Sequence, residues 1–406
     1  MQTRHVSIVG AGLGGLCLAQ GLRQAGVSFD VYERDPAAES RRQGYRIRID
    51  AHGQHALSQC LPENLYTLFQ QTCSAARSVQ LLNPDLEPIP GRPARSWRTS
   101  TADSAPQPMP PDLSANRQTL REILLGGIED RVHFGKTLRQ FEIDSDDAVR
   151  IQFDDGTWVT STLLVGADGV NSAARQQLAP GTEPADTGAL CIYGKTFATA
   201  EVRERLGSAL CTDTSVIFDD EFAVILDPMR FPEALPAIAK RLAPSCRLSP
   251  LDDYLYWAFI GPRARMGITD AELPGQTPDQ TRLTALIEAL VSRWHPRLRT
   301  LFAQGDLDTL TMLPVRGAIP PLARWRAGPV TLLGDAVHAM SPAGGLGANT
   351  ALRDAAALAE AVSTQADLRA AVAHYEIAMR GWAETAIKAS EDGARSLFRA
   401  ATTHPS

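Results

Sequence analysis

A glycine-rich segment near the N-terminus, GAGLGG at residues 10–15, constrains the fold of this chain most strongly. It follows a short apolar run, Val6 to Val9, which predicts a buried parallel strand. The next segment, Leu13 to Ala25, carries leucines and alanines at helical spacing and is closed by Gly26 as a C-cap. Ser28 to Tyr32 predicts a second strand. The chain therefore opens with a β-α-β unit.

The glycine spacing in this segment is GxGxxG, which is typical of a dinucleotide-binding turn. Gly10 permits the tight turn, Gly12 lets a pyrophosphate approach the backbone, and Gly15 lets the helix pack closely on the strand. Glu33 lies 18 residues after Gly15, where an acidic residue meets an adenosine ribose. These features fit NAD, NADP and FAD equally.

Two further segments place an acidic residue directly after an apolar strand. Asp168 follows the strand Thr162 to Val165, with Asn171 or Ser172 as the N-cap of a helix. Asp335 follows the strand Val330 to Leu333 and precedes the small residues of SPAGGLGAN. A nicotinamide dehydrogenase needs no such additional sites, whereas the longer, three-part FAD does.

The small residues after Asp335 leave bare backbone in front of a predicted helix. Side chains larger than a methyl group would keep a flat ring away from this backbone. The free N–H groups of the helix start favour negative charge, such as that of a reduced flavin ring. The segment therefore predicts a place where a flat or negatively charged group comes close to bare backbone.

The middle of the chain has a different character from both ends. The segments CIYGKTF, SVIFDDEFAVIL and YLYWAFI predict an antiparallel sheet. We therefore predict a cofactor domain at 1–180 and 314–406 and a substrate domain at 181–313. The other predicted elements are a loop from Gly91 to Asp112, a β-meander from Thr137 to Val165 turning at Asp155-Gly156, and helices at Ser114 to Leu125, Pro278 to Arg293, Asn349 to Val362 and Ala366 to Phe398.

The composition excludes several classes of function. Of the 406 residues, 44% are hydrophobic and 21% are charged, as in a globular protein. The net charge of −6 argues against nucleic-acid binding, and no apolar run reaches the roughly 18 residues of a membrane span. Six scattered cysteines are typical of reduced thiols, so we expect a cytoplasmic protein without disulfides or a metal site.

The three motifs, in this order and spacing, resemble those of the class A flavoprotein monooxygenases typified by para-hydroxybenzoate hydroxylase. The resemblance covers nearly the whole chain. It implies an α/β (α+β) fold, in which a Rossmann-like FAD-binding domain carries an inserted antiparallel-sheet substrate domain and C-terminal helices. It also implies non-covalent FAD, with NADPH or NADH and O₂ as co-substrates. The implied reaction hydroxylates an aromatic, phenolic or polycyclic, small molecule through a flavin C4a-hydroperoxide.

The resemblance also implies roles for individual residues. Glu33 and Arg34 are expected at the ribose and adenine, Asp335 at the ribityl and pyrophosphate, and Asp168 near both FAD and the nicotinamide. Arg117, and Arg46 or Arg48, are expected to face the cofactor. The full set of predicted cofactor-binding residues is Gly10, Gly12, Leu13, Gly14, Gly15, Glu33, Arg34, Arg46, Arg48, Arg117, Asp168, Gly334, Asp335, Pro342, Gly345, Leu346, Gly347, Ala348 and Asn349.

Four aromatic residues of the middle sheet, Tyr193, Phe218, Trp257 and Phe259, are candidates for the substrate pocket. In YLYWAFI, alternation puts Trp257 and Phe259 on one face, together with Leu255. This bulkier face lines the pocket or fills the core, and we predict the pocket. If that prediction fails, the pocket is expected on the strands of Tyr193 and Phe218.

Several polar residues have two readings. His338 is either an acid–base residue or a structural one beside the cofactor. The basic stretch RQGYRIR (42–48) lies beside the cofactor or forms a surface charge cluster. His52 and His55 could form a metal pair but lack a third ligand, and Trp294-His295-Pro296 is more typical of a helix end than of a site.

Other activities fit the same motifs. A flavin reductase, an epoxidase and a Baeyer–Villiger oxygenase share the scaffold, and a non-catalytic FAD-binding protein is the rival from another class. No serine-histidine-aspartate order supports a hydrolase. Natural-product tailoring, aromatic catabolism and antibiotic inactivation all use this framework. The sequence leaves open the substrate, the choice between NADPH and NADH, and whether the protein is a monomer or a homodimer.

Overall fold

The computed structural model describes residues 4–40, 45–75, 78–89, 110–219, 222–269 and 280–399. Its strands and helices are numbered in chain order. The strands are β1 His5–Val9, β2 Ser28–Glu33, β3 Ile47–Ile49, β4 Ser74–Ala75, β5 Val79–Leu82, β6 Leu113–Ala115, β7 Val132–Phe134, β8 Leu138–Ile143, β9 Val149–Phe153, β10 Trp158–Ser161, β11 Leu163–Gly166, β12 Ala185–Phe197, β13 Thr214–Asp219, β14 Phe222–Met229, β15 Tyr254–Pro262, β16 Thr311–Gly317 and β17 Val330–Leu332. The helices are α1 Leu13–Gln24, α2 Ala51–Cys60, α3 Glu63–Thr72, α4 Arg117–Leu125, α5 Ala173–Leu178, α6 Ala200–Leu206, α7 Leu235–Leu242, α8 Gln280–Leu290, α9 Pro296–Ala303, α10 Asp335–His338, α11 Gly347–Thr364 and α12 Leu368–Arg399.

A five-stranded parallel sheet forms the first layer, in the order β17-β11-β1-β2-β7. Its central strands are continuous apolar runs, as expected for a sheet that is buried on both faces. The predicted β-α-β unit is confirmed as β1, α1 and β2, and Gly26 ends the helix with φ 68°. Helix α1 packs against α11 and α2, so the C-terminal part of the chain completes this layer.

The six-stranded sheet has the order β16-β12-β15-β14-β13-β5 and is antiparallel except for the parallel pair β13 and β5. Strand β5, at residues 79–82, comes from the N-terminal part of the chain, and β16 continues to Gly317. The sheet therefore includes residues that precede and residues that follow the predicted substrate domain at 181–313. The division into domains at those boundaries stays a prediction.

Most elements agree with the prediction, with one local difference. The meander is confirmed as the antiparallel sheet β10-β9-β8, which turns at Gly156 with φ 83°. The helix predicted from Ser114 begins only at Arg117, because Asn116 caps it by accepting a hydrogen bond from the Thr119 N–H at 3.0 Å. The residues before it, 113–115, pair instead with β3 and β4.

Two other predictions fall partly outside the described residues. They are the loop from Gly91, of which only 110–112 is described, and the start of the helix from Pro278. Within the described ranges, no helix combines the length and the apolar character needed to cross a bilayer.

Candidate cofactor and substrate site

The predicted cofactor motifs lie at one edge of the five-stranded sheet. Gly10 follows β1 directly, and Glu33 is the last residue of β2. Asp168 comes two residues after β11, and Asp335 comes three residues after β17. Because all four strands are parallel, their carboxyl ends meet at the same edge, which is where ligands bind in sheets of this kind.

Three glycines of the turn after β1 are closely packed. Gly10 has φ 111°, and a methyl group there would lie 2.3 Å from the carbonyl oxygen of Ala167. A methyl group at Gly15 would lie 2.1 Å from the Gly10 carbonyl oxygen, and one at Gly14 would lie 2.8 Å from the Leu333 side chain. A heavier residue at Gly10 or Gly15 would therefore require the backbone to move, whereas one at Gly14 would first displace the Leu333 side chain.

Gly12 differs from these three glycines, because a methyl group there would meet no atom within 4 Å. It is the N-cap of α1, and no side chain caps the helix start at Leu13. The first N–H groups of a helix have no partner within the helix and attract anions. The turn therefore leaves a space the depth of a side chain in front of an anion-binding helix end.

Glu33 holds this turn in place. Its carboxylate accepts hydrogen bonds from the N–H groups of Ala11, at 2.7 Å, and Asp35, at 3.0 Å. Arg121 lies 3.9 Å from the same carboxylate and donates to the Ala11 carbonyl at 3.0 Å. Arg34, the next residue after Glu33, is exposed. The contacts of Glu33 and Arg34 with a ribose or an adenine stay predictions.

Asp335 is the first residue of α10 and lies at the carboxyl edge of the five-stranded sheet. Its side chain is exposed, yet the surrounding protein desolvates its carboxyl and raises the pKa. His338 and Arg117 oppose this rise in the pKa, and Asp354 adds to it. The carboxyl of Asp335 is therefore accessible to a ligand and lies close to two cationic groups, His338 and Arg117.

The Asp354 carboxylate, on α11, fixes the backbone beside Asp335. It accepts hydrogen bonds from the Gly334 N–H at 2.9 Å, from His338 Nε2 at 2.5 Å and from Trp382 Nε1 at 2.8 Å. Burial disfavours the charged form of His338, but the Asp354 carboxylate outweighs that effect and the pKa of His338 is raised. Because His338 is fully buried, the geometry favours the structural reading over the acid–base one.

The small residues after α10 form a compact turn, with a short 3₁₀ segment from Pro342 to Gly344 and then Gly345 with φ 64°. Arg48 lies against this turn and donates to the Gly344 carbonyl at 3.3 Å. Helix α11 begins at Gly347, two residues before the predicted start at Asn349. Neither Leu346, its N-cap, nor Ala348 supplies a side-chain cap, so the helix start presents free N–H groups.

Asn349 fastens this turn to the first part of the chain. Its side-chain oxygen accepts from the Asp50 N–H at 3.0 Å, and its amide donates to the carbonyls of Arg48 and Gly345, both at 2.9 Å. Gly53 provides the room for this contact, since a methyl group there would lie 2.1 Å from the Asn349 oxygen. Asn349 therefore shapes the turn through backbone contacts.

Asp168 caps a short helix. Its carboxylate accepts from the Ser172 hydroxyl at 2.5 Å and from the N–H groups of Ala173, at 2.8 Å, and Ala174, at 3.2 Å. Of the two predicted N-caps, Ser172 is confirmed, and it accepts from the Arg175 N–H. A contact of Asp168 with a cofactor stays a prediction.

The two candidate arginines are largely buried, so neither belongs to a surface charge cluster. Arg46 forms an ion pair with Asp227 on β14 and donates to the Ser114 hydroxyl. Arg48 pairs with Asp112, with 2.5 Å between Nε and Oδ2. Residues 41–44 of the basic stretch lie outside the described part of the chain.

One face of the six-stranded sheet contacts the small-residue turn. Tyr193 and Phe218 belong to an apolar cluster with Tyr45 and with Ala343 of the turn. The Tyr193 ring meets the rings of Tyr45 at 6.0 Å and Tyr256 at 6.4 Å, between centroids. We refer to this side of the sheet as the turn-facing side.

Trp257 and Phe259 lie on the opposite side of the sheet, which corrects their predicted place in the pocket. They pack against α8 and α9 through residues such as Phe302, 5.4 Å from Trp257 between ring centroids. The Trp257 indole N–H donates to Thr196 at 3.1 Å, and its ring lies over Gly194. Helices cover this side, so both rings are core residues.

The remaining polar candidates lie at helix ends or on the protein surface. His295 is the N-cap of α9, which confirms the expected helix terminus, and the Trp294 indole donates to Asp219 at 2.6 Å. His52 and His55 are exposed on α2. Within the described ranges, no group of three or more His, Cys, Asp or Glu residues is arranged to hold a metal ion.

Comparison with known proteins gives matches at both ends of the chain and along its length. Residues 263–375 match the family model of the FAD binding domain, and residues 8–72 match that of the NAD(P)-binding Rossmann-like domain. A dual O-methyltransferase/FAD-dependent monooxygenase of Cercospora beticola is 36% identical over 419 residues, covering 98% of this chain and 46% of that protein. An FAD-dependent monooxygenase of Trichoderma harzianum is 29% identical, covering 88% of this chain and 82% of that protein.

The fold matches as well. A Photorhabdus luminescens protein described as an FAD containing monooxygenase superposes with a TM-score of 0.80 and 28% identity, covering 97% of this chain and 98% of that one. In sequence and in fold the chain is therefore similar to FAD-dependent monooxygenases, which confirms the resemblance to the para-hydroxybenzoate hydroxylase-like family. It spans less than half the length of the first three curated relatives that it matches.

The geometry of the chain fits FAD. The open space at Gly12 and the uncapped start of α1 suit a pyrophosphate, and the exposed carboxyl of Asp335 suits a polar linker. The turn at 342–345 and the uncapped start of α11 suit a flat ring that carries negative charge when reduced. These features follow one edge of the sheet in the order of the parts of FAD.

Two residues of the site escaped the sequence analysis. Arg121 lies one helical turn after Arg117, and that i, i+4 spacing was an available signal. Asp354 stands among the buried alanines of α11, and an acidic residue on the buried face of a helix indicates a hydrogen-bond acceptor.

Proposed function

We propose that the protein is an FAD-dependent, NAD(P)H-driven monooxygenase that hydroxylates an aromatic small molecule. The observation that carries this proposal is the apolar cluster that joins Tyr193 and Phe218 to Ala343. A flat substrate held on the turn-facing side would lie beside the ring edge of a flavin at the 342–349 turn. Aromatic side chains suit flat apolar ligands, and a few polar groups then fix the orientation.

When bound, FAD supplies hydride acceptance from NAD(P)H and the activation of O₂. The chain supplies the binding groups for it. The N–H groups at the start of α1 hold the pyrophosphate, with Gly12 providing clearance. Glu33 contacts the ribose, Asp335 contacts the ribityl chain, and the start of α11 stabilises negative charge at the ring edge.

The chain also has to keep water away from the reacting oxygen, because a dry site protects a reactive intermediate from side reactions. The apolar cluster on the turn-facing side of the six-stranded sheet supplies mainly apolar surface for this purpose, including Leu81, Val216 and Ile225. Arg48 holds the small-residue turn against this cluster through the Gly344 carbonyl.

The nicotinamide donor would bind transiently beside the FAD domain. The only GxGxxG turn in the sequence is the one at residues 10–15, which the ADP part of FAD would occupy. All six cysteines are free thiols, and we propose a cytoplasmic location on that basis.

Stimulation of NADPH or NADH oxidation by a panel of phenols, naphthols and hydroxylated heteroaromatic compounds tests this proposal on the FAD-loaded protein. We expect a subset of the compounds to accelerate oxidation, with oxygen consumed in step and little H₂O₂ released. If no compound accelerates oxidation, or if all reducing equivalents appear as H₂O₂, the hydroxylase proposal fails. Epoxide or lactone products would favour the alternative oxygenases.

A further inference from the structure

Lys195 lies on the turn-facing side of the six-stranded sheet. Alternation along β12 puts its side chain on the same side as Tyr193 and Phe197. In the register of β12 with β15, Lys195 is opposite Tyr256. A cationic side chain therefore lies within the aromatic surface that we assign to the substrate.

Three aromatic rings surround the Lys195 ammonium. Nζ lies 5.4 Å from the ring centroid of Tyr45, 4.6 Å from that of Phe197 and 5.6 Å from that of Tyr254. Ring faces attract cations, so the cage holds the ammonium in place. The ring faces themselves offer no lone pair to the three N–H donors.

No carboxylate pairs with this ammonium among the residues that the structure describes. Asp306 and Asp252 are near enough to influence its pKa, but neither lies within 4.0 Å. Burial is the larger influence and lowers the pKa of Lys195. The described residues therefore leave the three N–H donors of this half-buried ammonium to solvent or to a ligand.

The cage lies between a surface cleft and the turn. The cleft, of about 520 Å³, is lined by Phe197, Phe231 and Leu251 and by the charged side chains of Arg203, Glu233, Asp252 and Asp253. Phe197 is thus both a wall of the cleft and a ring of the cage. On the other side of the ammonium, Tyr45 contacts Tyr193, which belongs to the cluster around the turn. The Phe197 ring therefore separates the ammonium from the cleft, and the Tyr45 and Tyr193 rings link it to the turn.

We propose that Lys195 binds the anionic oxygen, phenolate or carboxylate, of the aromatic substrate. This inference rests on the proposed hydroxylase function and adds the ionic character of the substrate to it. A phenol bound here would release its proton to solvent, and the ammonium would stabilise the phenolate. Carbons ortho and para to a phenolate oxygen are richer in electrons, which favours transfer of an oxygen atom to them.

The experiment compares FAD-loaded wild type with Lys195→Met, Lys195→Arg and the control Lys240→Met, which changes an exposed lysine on α7. The probes are 2-naphthol, 2-naphthoate and the neutral 2-methoxynaphthalene. Dissociation constants come from the change in the flavin absorption spectrum. The ultraviolet band of naphtholate reports whether bound 2-naphthol is ionised.

We expect Lys195→Met to weaken 2-naphthol or 2-naphthoate binding by at least about tenfold, the usual effect of losing a charged hydrogen bond. Binding of 2-methoxynaphthalene should stay the same, and Lys195→Arg should retain part of the preference for anions. Bound 2-naphthol should show the naphtholate band at a lower pH than free 2-naphthol in the wild type and in Lys240→Met.

Two results would overturn the inference. One is equal affinity of wild type and Lys195→Met for both anions, which would mean that the ammonium turns to Asp252 or Asp306. The other is a wild type that binds neither anion more tightly than 2-methoxynaphthalene. In either case, an aromatic compound that still accelerates NAD(P)H oxidation leaves the hydroxylase proposal standing.

Discussion

Replacing Gly12 with alanine should separate FAD binding from folding. Gly12 has φ −76° and ψ 178°, an extended conformation that any residue adopts, and the new methyl group meets no protein atom within 4 Å. Restriction of the unfolded chain by the alanine stabilises the apoprotein by about 0.4–1 kcal/mol. The lower preference of a helix N-cap for alanine than for glycine offsets that gain, so the stability of the apoprotein should change little. The same methyl group would occupy the space that we assign to the pyrophosphate.

The expected magnitude follows from ligand linkage. FAD at a concentration 100 times its Kd stabilises the folded protein by about 2.7 kcal/mol. If Gly12→Ala weakens binding about 100-fold, the same FAD concentration stabilises the variant by only about 0.4 kcal/mol. Melting temperatures measured by circular dichroism, with and without FAD, report both effects.

Gly15→Ala is the matched control. Its methyl group would lie 2.1 Å from the Gly10 carbonyl oxygen, so it should destabilise the apoprotein itself by about 3 kcal/mol. The two variants therefore differ before FAD is added. A Gly12→Ala protein that binds FAD with wild-type affinity would refute the placement of the pyrophosphate.

Three other predictions follow from the same geometry. Trp257→Ala truncates a core residue and should lower the free energy of unfolding, measured in urea, by about 3–5 kcal/mol. The folded fraction should still bind FAD and form the same products. A stable variant that forms different products would show that Trp257 lines the pocket. The pKa of His338 is higher in the folded protein than in the unfolded protein, where it is about 6.5. The pair of His338 with Asp354 therefore contributes its full stability below about pH 6.5. This contribution is lost as the pH rises through the pKa of His338 in the folded protein. Apoprotein stability should therefore fall as pH rises above about 6.5, less steeply in His338→Gln than in the exposed control His55→Gln, and equal slopes would exclude the pair as the cause. Acid precipitation should release all flavin colour to the supernatant, because the FAD is expected to be non-covalent, and a yellow pellet would contradict this.

The cofactor motifs at the carboxyl edge of the five-stranded sheet were predictable because their sequence signals are local. Glycine positions, apolar runs and strand-to-helix turns lie within short segments, and they located β1, α1 and β2 as well as the turns at Asp168 and Asp335. The turn chemistry also identified Ser172 as one of two N-caps. What local signals could not reveal was that the Glu33 and Asp168 carboxylates also hold backbone N–H groups.

The orientation of the six-stranded sheet was not predictable from its sequence. Alternation in β15 separates Trp257 and Phe259 from Tyr256, but both sides of this sheet are covered, one by α8 and α9 and the other by the small-residue turn. Apolar residues therefore occur on both sides, and size alone does not tell which side meets the cofactor. The pairing of β5 with β13 joins residues more than a hundred positions apart, which no local pattern encodes.

Incorporation of labelled oxygen tests the central claim most directly. The FAD-loaded protein, NAD(P)H and the aromatic compound that most accelerates its oxidation would be incubated under ¹⁸O₂, and the product would be examined by mass spectrometry. We predict one ¹⁸O atom in each product molecule, as a new hydroxyl group on the ring, with one NAD(P)H consumed per product. The account would be contradicted if NAD(P)H were oxidised but all of the aromatic compound were recovered unlabelled, with ¹⁸O found only in hydrogen peroxide.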